Sequence, residues 1–266
     1  MLLLLFACTG ALEPASDAVE LPVVEASTES ELPTFDAWPE DPELMPAPSL
    51  VALSLQTHGV QAACAEYAAQ VSYKTDVSVS TIAAARTGAE IGALLVEAPV
   101  TESAKLAERV QRIQAGLASL NDEGLGLQET SKLLVFLSQD PAPAQVSIQL
   151  DQLHAGLLMN MESQSNNELL PVLLAGAWMQ AYLLIAQGLQ AIDNPGPGHA
   201  LFHHPHVGEY FSAYVASTGQ DTIPSGMLAP LEQTLLNLRM ITQKDPMSDK
   251  DLATVRQGLD DILGML

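Results

Sequence analysis

The chain has 266 residues, 48% of them apolar, which is enough for a real core and excludes wholesale disorder. Aromatics make up only 5% while Leu and Ala abound, which favours helix over strand. With 32 acidic residues against 10 basic ones the net charge is -22; such a surface repels phosphates, so nucleic acid is a poor partner and a polybasic lipid-binding patch is excluded. The same charge would draw cationic partners, divalent ions or basic proteins, or serve solubility alone.

The chain opens on an apolar run, Leu2 to Ala7, that stops at Cys8. Leu5-Phe6-Ala7-Cys8 resembles a bacterial lipobox, in which the signal is cut before a cysteine that then carries lipid. A secretory signal normally starts with basic residues, yet no Lys or Arg precedes Lys74, so Met1 is read as lying inside a longer signal. Residues 1–8 are therefore assigned as a signal segment and Cys8 as its lipidation site. The next segment, 9–48, holds acidic residues, no basic one, and the prolines Pro14, Pro22, Pro33, Pro39, Pro42, Pro46 and Pro48. Like charges repel and prolines interrupt helices, so it should be an extended tether holding a domain off a membrane. Phe35 and Trp38 stand out in it, as residues for a casual contact with the domain or as the mark of a short binding segment.

Residues 49–266 read as one all-α, bundle-like domain of about eight helices, packed antiparallel through short connections and without a sheet. Ala62 to Ser72 is a short Ala-rich helix containing Cys64, which has no intrachain partner if Cys8 is lipidated. Val77 to Val96 follows, with Ala83, Ala84, Ala85, Gly88 and Ala89 small enough to let another helix come close. Thr101 is placed to cap the next helix, in which Leu106, Val110, Ile113, Leu117 and Leu120 form one apolar stripe. Glu108 and Arg112 make an i,i+4 pair on its wet side, and Asn121 to Gly124 end it.

Leu127 to Gln139 is helical, and Pro141 and Pro143 start another helix whose stripe is Val146, Leu150, Leu153 and Leu157. After the polar turn Ser163 to Asn167, Glu168 to Ile192 predicts a long apolar helix bent near Pro171. Asn194 to Gly198 breaks it. Val207 to Val215, closed by Gly219, then Met227 to Thr242 and Ser248 to Leu263 complete the chain. Ser248 with Asp251 three residues on predicts an N-cap arrangement.

The order of these elements, from about residue 60 to the end, resembles a family of exported bacterial helical proteins, many with lipoprotein-type signals. The residues that carry the likeness are the small-residue helix Val77 to Val96, the Gly176-Ala177-Trp178 centre of the long helix, Glu209-Tyr210-Phe211, and Pro246 to Asp251 before the last helix. Members of that family often carry an Arg soon after the Trp; here Gln180 and Tyr182 occupy the neighbourhood. The resemblance implies a helical fold and an envelope location, and no particular chemistry.

The densest cluster of chemical groups is His199, His203, His204 and His206 with Glu209. Neutral imidazoles bind zinc, copper or nickel, and Glu209 could add an oxygen. Pro205 should start a helix, leaving His199 and His203 in the preceding turn and His206 with Glu209 on one face. Two readings stay open: a solvated His-rich loop, or a divalent metal site. His154 beside the seam of Leu150, Leu153 and Leu157 reads as a core-edge residue, and His58 as part of a connection. Leu169 to Leu189 is uncharged and long enough to span a membrane, but no basic residue lies between Lys132 and Arg239 to orient it. It reads as the buried centre of the bundle, with Trp178 and Tyr182 as core aromatics. No HExxH, P-loop, GxGxxG or GxSxG motif occurs. The function expected is therefore non-enzymatic: an envelope lipoprotein, anchored through Cys8 and facing the periplasm or exterior, that binds or scaffolds an unidentified partner. The alternative is a metal-handling protein using the His199 to Glu209 segment. The bound cofactor expected is none, with a divalent metal as the exception.

Overall fold

In a computed structural model the residues described are 47–120, 125–163 and 169–266. Cys8, the tether with Phe35 and Trp38, the turn at 121–124 and the polar turn at 164–167 lie outside them. The described residues form eleven helices and no strand: α1 (Pro48–Thr57), α2 (Gln61–Ala68), α3 (Ser80–Glu97), α4 (Ser103–Ser119), α5 (Leu125–Leu137), α6 (Pro143–Ser163), α7 (Leu170–Ala191), α8 (Gly198–Phe202), α9 (Pro205–Thr222), α10 (Ser225–Ile241) and α11 (Asp249–Leu263). The all-α class is as the sequence indicates; the count exceeds the expected eight.

Two of the additional helices are short and flank the site described below. Helix α1 starts at Pro48, which was assigned to the end of the tether. Proline suits the first helical turn because its missing N–H would be unpaired there anyway. The helix ends where Gly59 takes a φ of +69°, a left-handed conformation that costs glycine little. Helix α8 is a single turn and a half between the Pro-Gly breaker and Pro205.

The frame is the pair α3–α7. Helix α3 is buried along almost its whole length from Ala83 to Glu97. Its small residues let α7 approach until backbones touch. A Cβ added at Gly88 would overlap the Leu173 carbonyl, and one at Gly92 the Ala177 carbonyl. The converse holds on α7, where a Cβ at Gly176 would overlap the carbonyl of Ala85. Helix α2 completes this layer: Cys64 packs its Sγ over Gly188 of α7, and burial pushes the thiol up to about 12. Cys64 is thus a small core hydrophobe.

Helix α7 is the one described helix long and apolar enough to cross a membrane, but 78% of its most apolar window is buried inside the domain. It is sheathed by α2, α3 and α11. Pro171 sits at its start and not at a bend, since the first turn tolerates proline.

The amphipathic helices close around this centre. Leu106, Val110, Ile113 and Leu117 of α4 are buried, as are Val146, Leu150 and Leu153 of α6. Leu252, Val255, Leu259 and Ile262 of α11 are likewise buried. Ser248 caps α11 in a complete capping box: its Oγ accepts from Asp251 N, and Asp251 Oδ2 accepts from Ser248 N at 3.0 Å. Thr101 is not a cap, because α4 begins after Glu102. Helix α9 runs past Gly219 to Thr222 and stops only at Ile223, whose extended backbone is what a following proline imposes.

Candidate functional site

Two features of the folded chain were not visible in the motifs: a buried charge cluster and a ligand-sized cleft. The cluster joins α3 to α4. Arg109 is 2% exposed and Glu90 is 0% exposed. Arg109 Nη1 donates to Glu90 Oε2 at 2.5 Å, and its Nε donates to Glu97 Oε1. Its Nη2 donates to Glu97 Oε2 at 3.2 Å and to the Ala68 carbonyl at 2.7 Å. Arg112 Nε donates to the second oxygen of Glu90 at 3.0 Å, as does the Tyr73 backbone N–H at 2.6 Å. Arg112 therefore turns inward to Glu90, and the expected surface pair with Glu108 is replaced by a bond to the Glu108 carbonyl.

Two carboxylates and two guanidiniums balance, and each carboxylate has donors to match. The Tyr73 hydroxyl donates to Gln180 Oε1 at 2.9 Å, and burial followed by the Glu90 charge pushes its pKa up to about 12. The cluster thus clamps the irregular segment 69–79 onto α3, α4 and α7. None of its charged members lines either of the two cavities described below.

The cleft lies between α1, α7, α8 and the start of α9, with a volume of about 300 Å³. Its floor is buried: Leu55 of α1, Leu95 of α3, Trp178, Tyr182 and Ile185 of α7, Leu201 of α8 and Val207 of α9. Its rim is exposed, at Leu50, Ala200 and His204. Only a few polar atoms reach it. The Tyr182 hydroxyl donates to the Phe202 carbonyl at 3.1 Å, which fixes α8 against α7. Burial raises the Tyr182 pKa, and the indole of Trp178 partly offsets that rise. The Trp178 Nε1–H lies near that hydroxyl without the geometry of a hydrogen bond, and it is buried with no partner. Partial desolvation, and then the adjacent His203, hold the His204 ring below the usual histidine pKa, so it is neutral at neutral pH. A second cavity of about 60 Å³, between α3, α7, α9, α10 and α11, is lined without a charged side chain and is far smaller.

The five residues singled out for metal do not form one set. His199 and His203 stack with ring centroids 4.7 Å apart. Their Nδ1 atoms reach the carbonyls of Lys244 (3.1 Å) and Thr242 (3.4 Å), tying α8 to the end of α10. His204 turns to the cleft, its ring 6.4 Å from that of Tyr182. His206 and Glu209 do share a face of α9, 3.9 Å apart, with Arg239 of α10 at 3.8 Å from the same carboxylate. A guanidinium beside Glu209 competes with any cation there. Among the described residues, no three His, Cys, Asp or Glu side chains converge as a metal set.

Fold and site together define an all-helical domain with a solvent-open apolar cleft. No family model matches the chain, and neither the curated proteins nor the solved structures include a match.

Proposed function

We propose that this chain is a non-catalytic binding protein of the bacterial envelope, anchored by lipid on Cys8 and held off the membrane by its acidic, proline-rich tether. The observation that carries the binding role is the cleft between α1 and α7–α8. Its floor is apolar, it opens to solvent, and no Asp, Glu, Lys, Arg or Cys lines it. Such a surface holds a ligand by excluding water and has little with which to transform one. The lipobox-like Leu5-Phe6-Ala7-Cys8 and the acidic stretch after it support the anchor.

The anchor is tested by fractionating cells that make the protein from a complete signal. The wild type should sediment with membranes and resist a high-salt wash. Cys8→Ala should appear in the soluble fraction. Equal membrane retention of both proteins would remove the lipid anchor from this reading.

A further inference from the structure

We infer that the α1–α7–α8 cleft is a binding site for an uncharged, mainly apolar small molecule that carries one hydrogen-bond acceptor. This rests on the binding role proposed above and names its ligand class. The volume fits such an occupant. About 150 Å³ suffices for a benzene-sized guest, and ligand pockets begin near 300 Å³, so the cleft of about 300 Å³ takes a ligand somewhat larger than a single ring.

Charge selects against ions at both signs. No lysine, arginine or carboxylate reaches the lining, so an anionic or cationic head would lose its water without gaining a partner. His204 stands at the rim, where it can meet a polar end in water and not an ion in the interior.

The acceptor is specified by Trp178. Its side chain is 5% exposed, its Nε1–H has no partner, and it sits beside the Tyr182 hydroxyl on the cleft floor. A buried N–H left unpaired is costly, and indoles in protein interiors usually find an acceptor. The neighbouring Tyr182 hydroxyl gives its proton to the Phe202 carbonyl and keeps its lone pairs, but it is not in hydrogen-bonding geometry to the indole. A hydroxyl, ether or carbonyl oxygen entering from the rim would accept from the indole while its chain or ring covers Leu55, Ile185 and Leu201. Helix α1 is the outer wall, held by Ser49 N–H donating to Asp151 Oδ1 and by Gln61 Nε2 donating to the Ala52 carbonyl. The cleft already opens to solvent at Leu50, Ala200 and His204, so access needs no change in the α3–α7 frame.

The test titrates the full chain with the uncharged fluorophore N-phenylnaphthylamine and competes it with decanol or decanoate. One saturable equivalent is expected, with decanol displacing the probe at least tenfold more effectively than decanoate. Trp178→Phe keeps the ring and removes the N–H; it should weaken decanol about two- to tenfold, the worth of one net hydrogen bond. Ala181→Phe should fill the cleft and abolish binding. Ala200→Trp, at the exposed rim, gives the same steric test without a change in the core.

Binding that survives both blocking variants would place the ligand elsewhere and overturn this site while leaving the anchored binding role standing. Decanoate competing as well as decanol, or an unchanged decanol affinity in Trp178→Phe, would overturn the ligand class. Absence of any saturable binding would overturn the site. Retention of Cys8→Ala on membranes bears on the anchor alone.

Discussion

Arg109 is a charged side chain taken almost wholly out of water, and it is tolerable there only because all three guanidinium nitrogens are engaged by Glu90, Glu97 and the carbonyls of Ala68 and Val71. Removing one member of such a set leaves the others buried and unpaired. Arg109→Met should therefore cost about 3–5 kcal/mol in a denaturant titration, whereas an exposed pair is worth about 1 kcal/mol or less. Arg112, 30% exposed, should cost clearly less than Arg109 when changed to Ala, because water can replace part of what Glu90 loses. Equal losses from the two would mean the cluster is hydrated. His154 offers a pH test. Burial lowers its pKa, against a smaller upward pull from Asp151, and its Nε2 is buried without a partner. The unfolded chain, with a pKa of about 6.5, takes the proton first, so folding stability falls as pH drops through that value and levels off once the folded state is also protonated. The decline in melting temperature from about pH 7.5 to about pH 5 should be smaller in His154→Gln than in the wild type.

At the level of helices, the contact between α3 and α7 is set by what is missing from it. Gly92→Ala would drive a methyl into the Ala177 backbone, which cannot swing aside, and should destabilise the fold despite alanine's better helix propensity. Gly208 on α9 has open space around it, so Gly208→Ala should stabilise by about 0.5–1 kcal/mol. Thermal melts of the two variants check the contrast, and a neutral Gly92→Ala would mean the seam is looser than described. The small residues of α3 and the uniform apolarity of α7 made this pairing partly legible, as did the stripes of α4, α6 and α11, whose period of 3.6 survives folding unchanged. Helix α1 was not legible, because Pro48 closes a proline-rich run and only Ala52 and Leu55 of its other residues turn inward. Glu90 could have been noticed: a lone carboxylate between Gly88 and Gly92, on the face meant for close packing, needs a cation in the interior. The identity of that cation could not, since Arg109 flanks an ordinary apolar stripe and its inward turn depends on where α3 lies. The cleft was out of reach for the same reason. Its lining comes from five helices, and no local pattern records the gap between them. The histidines were seen, but their grouping in sequence was undone by Pro205, which starts α9 between His204 and His206 and sends them different ways.

Over the whole molecule the net charge of -22 makes self-repulsion a standing cost. Most carboxylates have no cation at hand, since there are only 10 basic residues and, among the described residues, five of them, Arg109, Arg112, Lys132, Arg239 and Lys244, already sit in ion pairs. Raising the salt from about 0.01 M to about 0.3 M shortens the screening length from about 30 Å to under 10 Å. The melting temperature should rise over that range, in contrast to a fold held by surface ion pairs. A fall would mean that the few ion pairs outweigh the repulsion.

The α3–α7 seam also sets an order of events during synthesis. The two helices that meet most closely are separated along the chain by α4, α5 and α6. While the ribosome is still making those three, α3 has no partner for its glycine face, although Glu90 and Glu97 can meet Arg109 as soon as α4 has emerged. The frame can close only after α7 has emerged, so the chain stays open through most of its translation. For a protein proposed to leave the cytoplasm, that delay is useful: a translocon needs a chain that has not yet folded, and this one withholds its central contact until late.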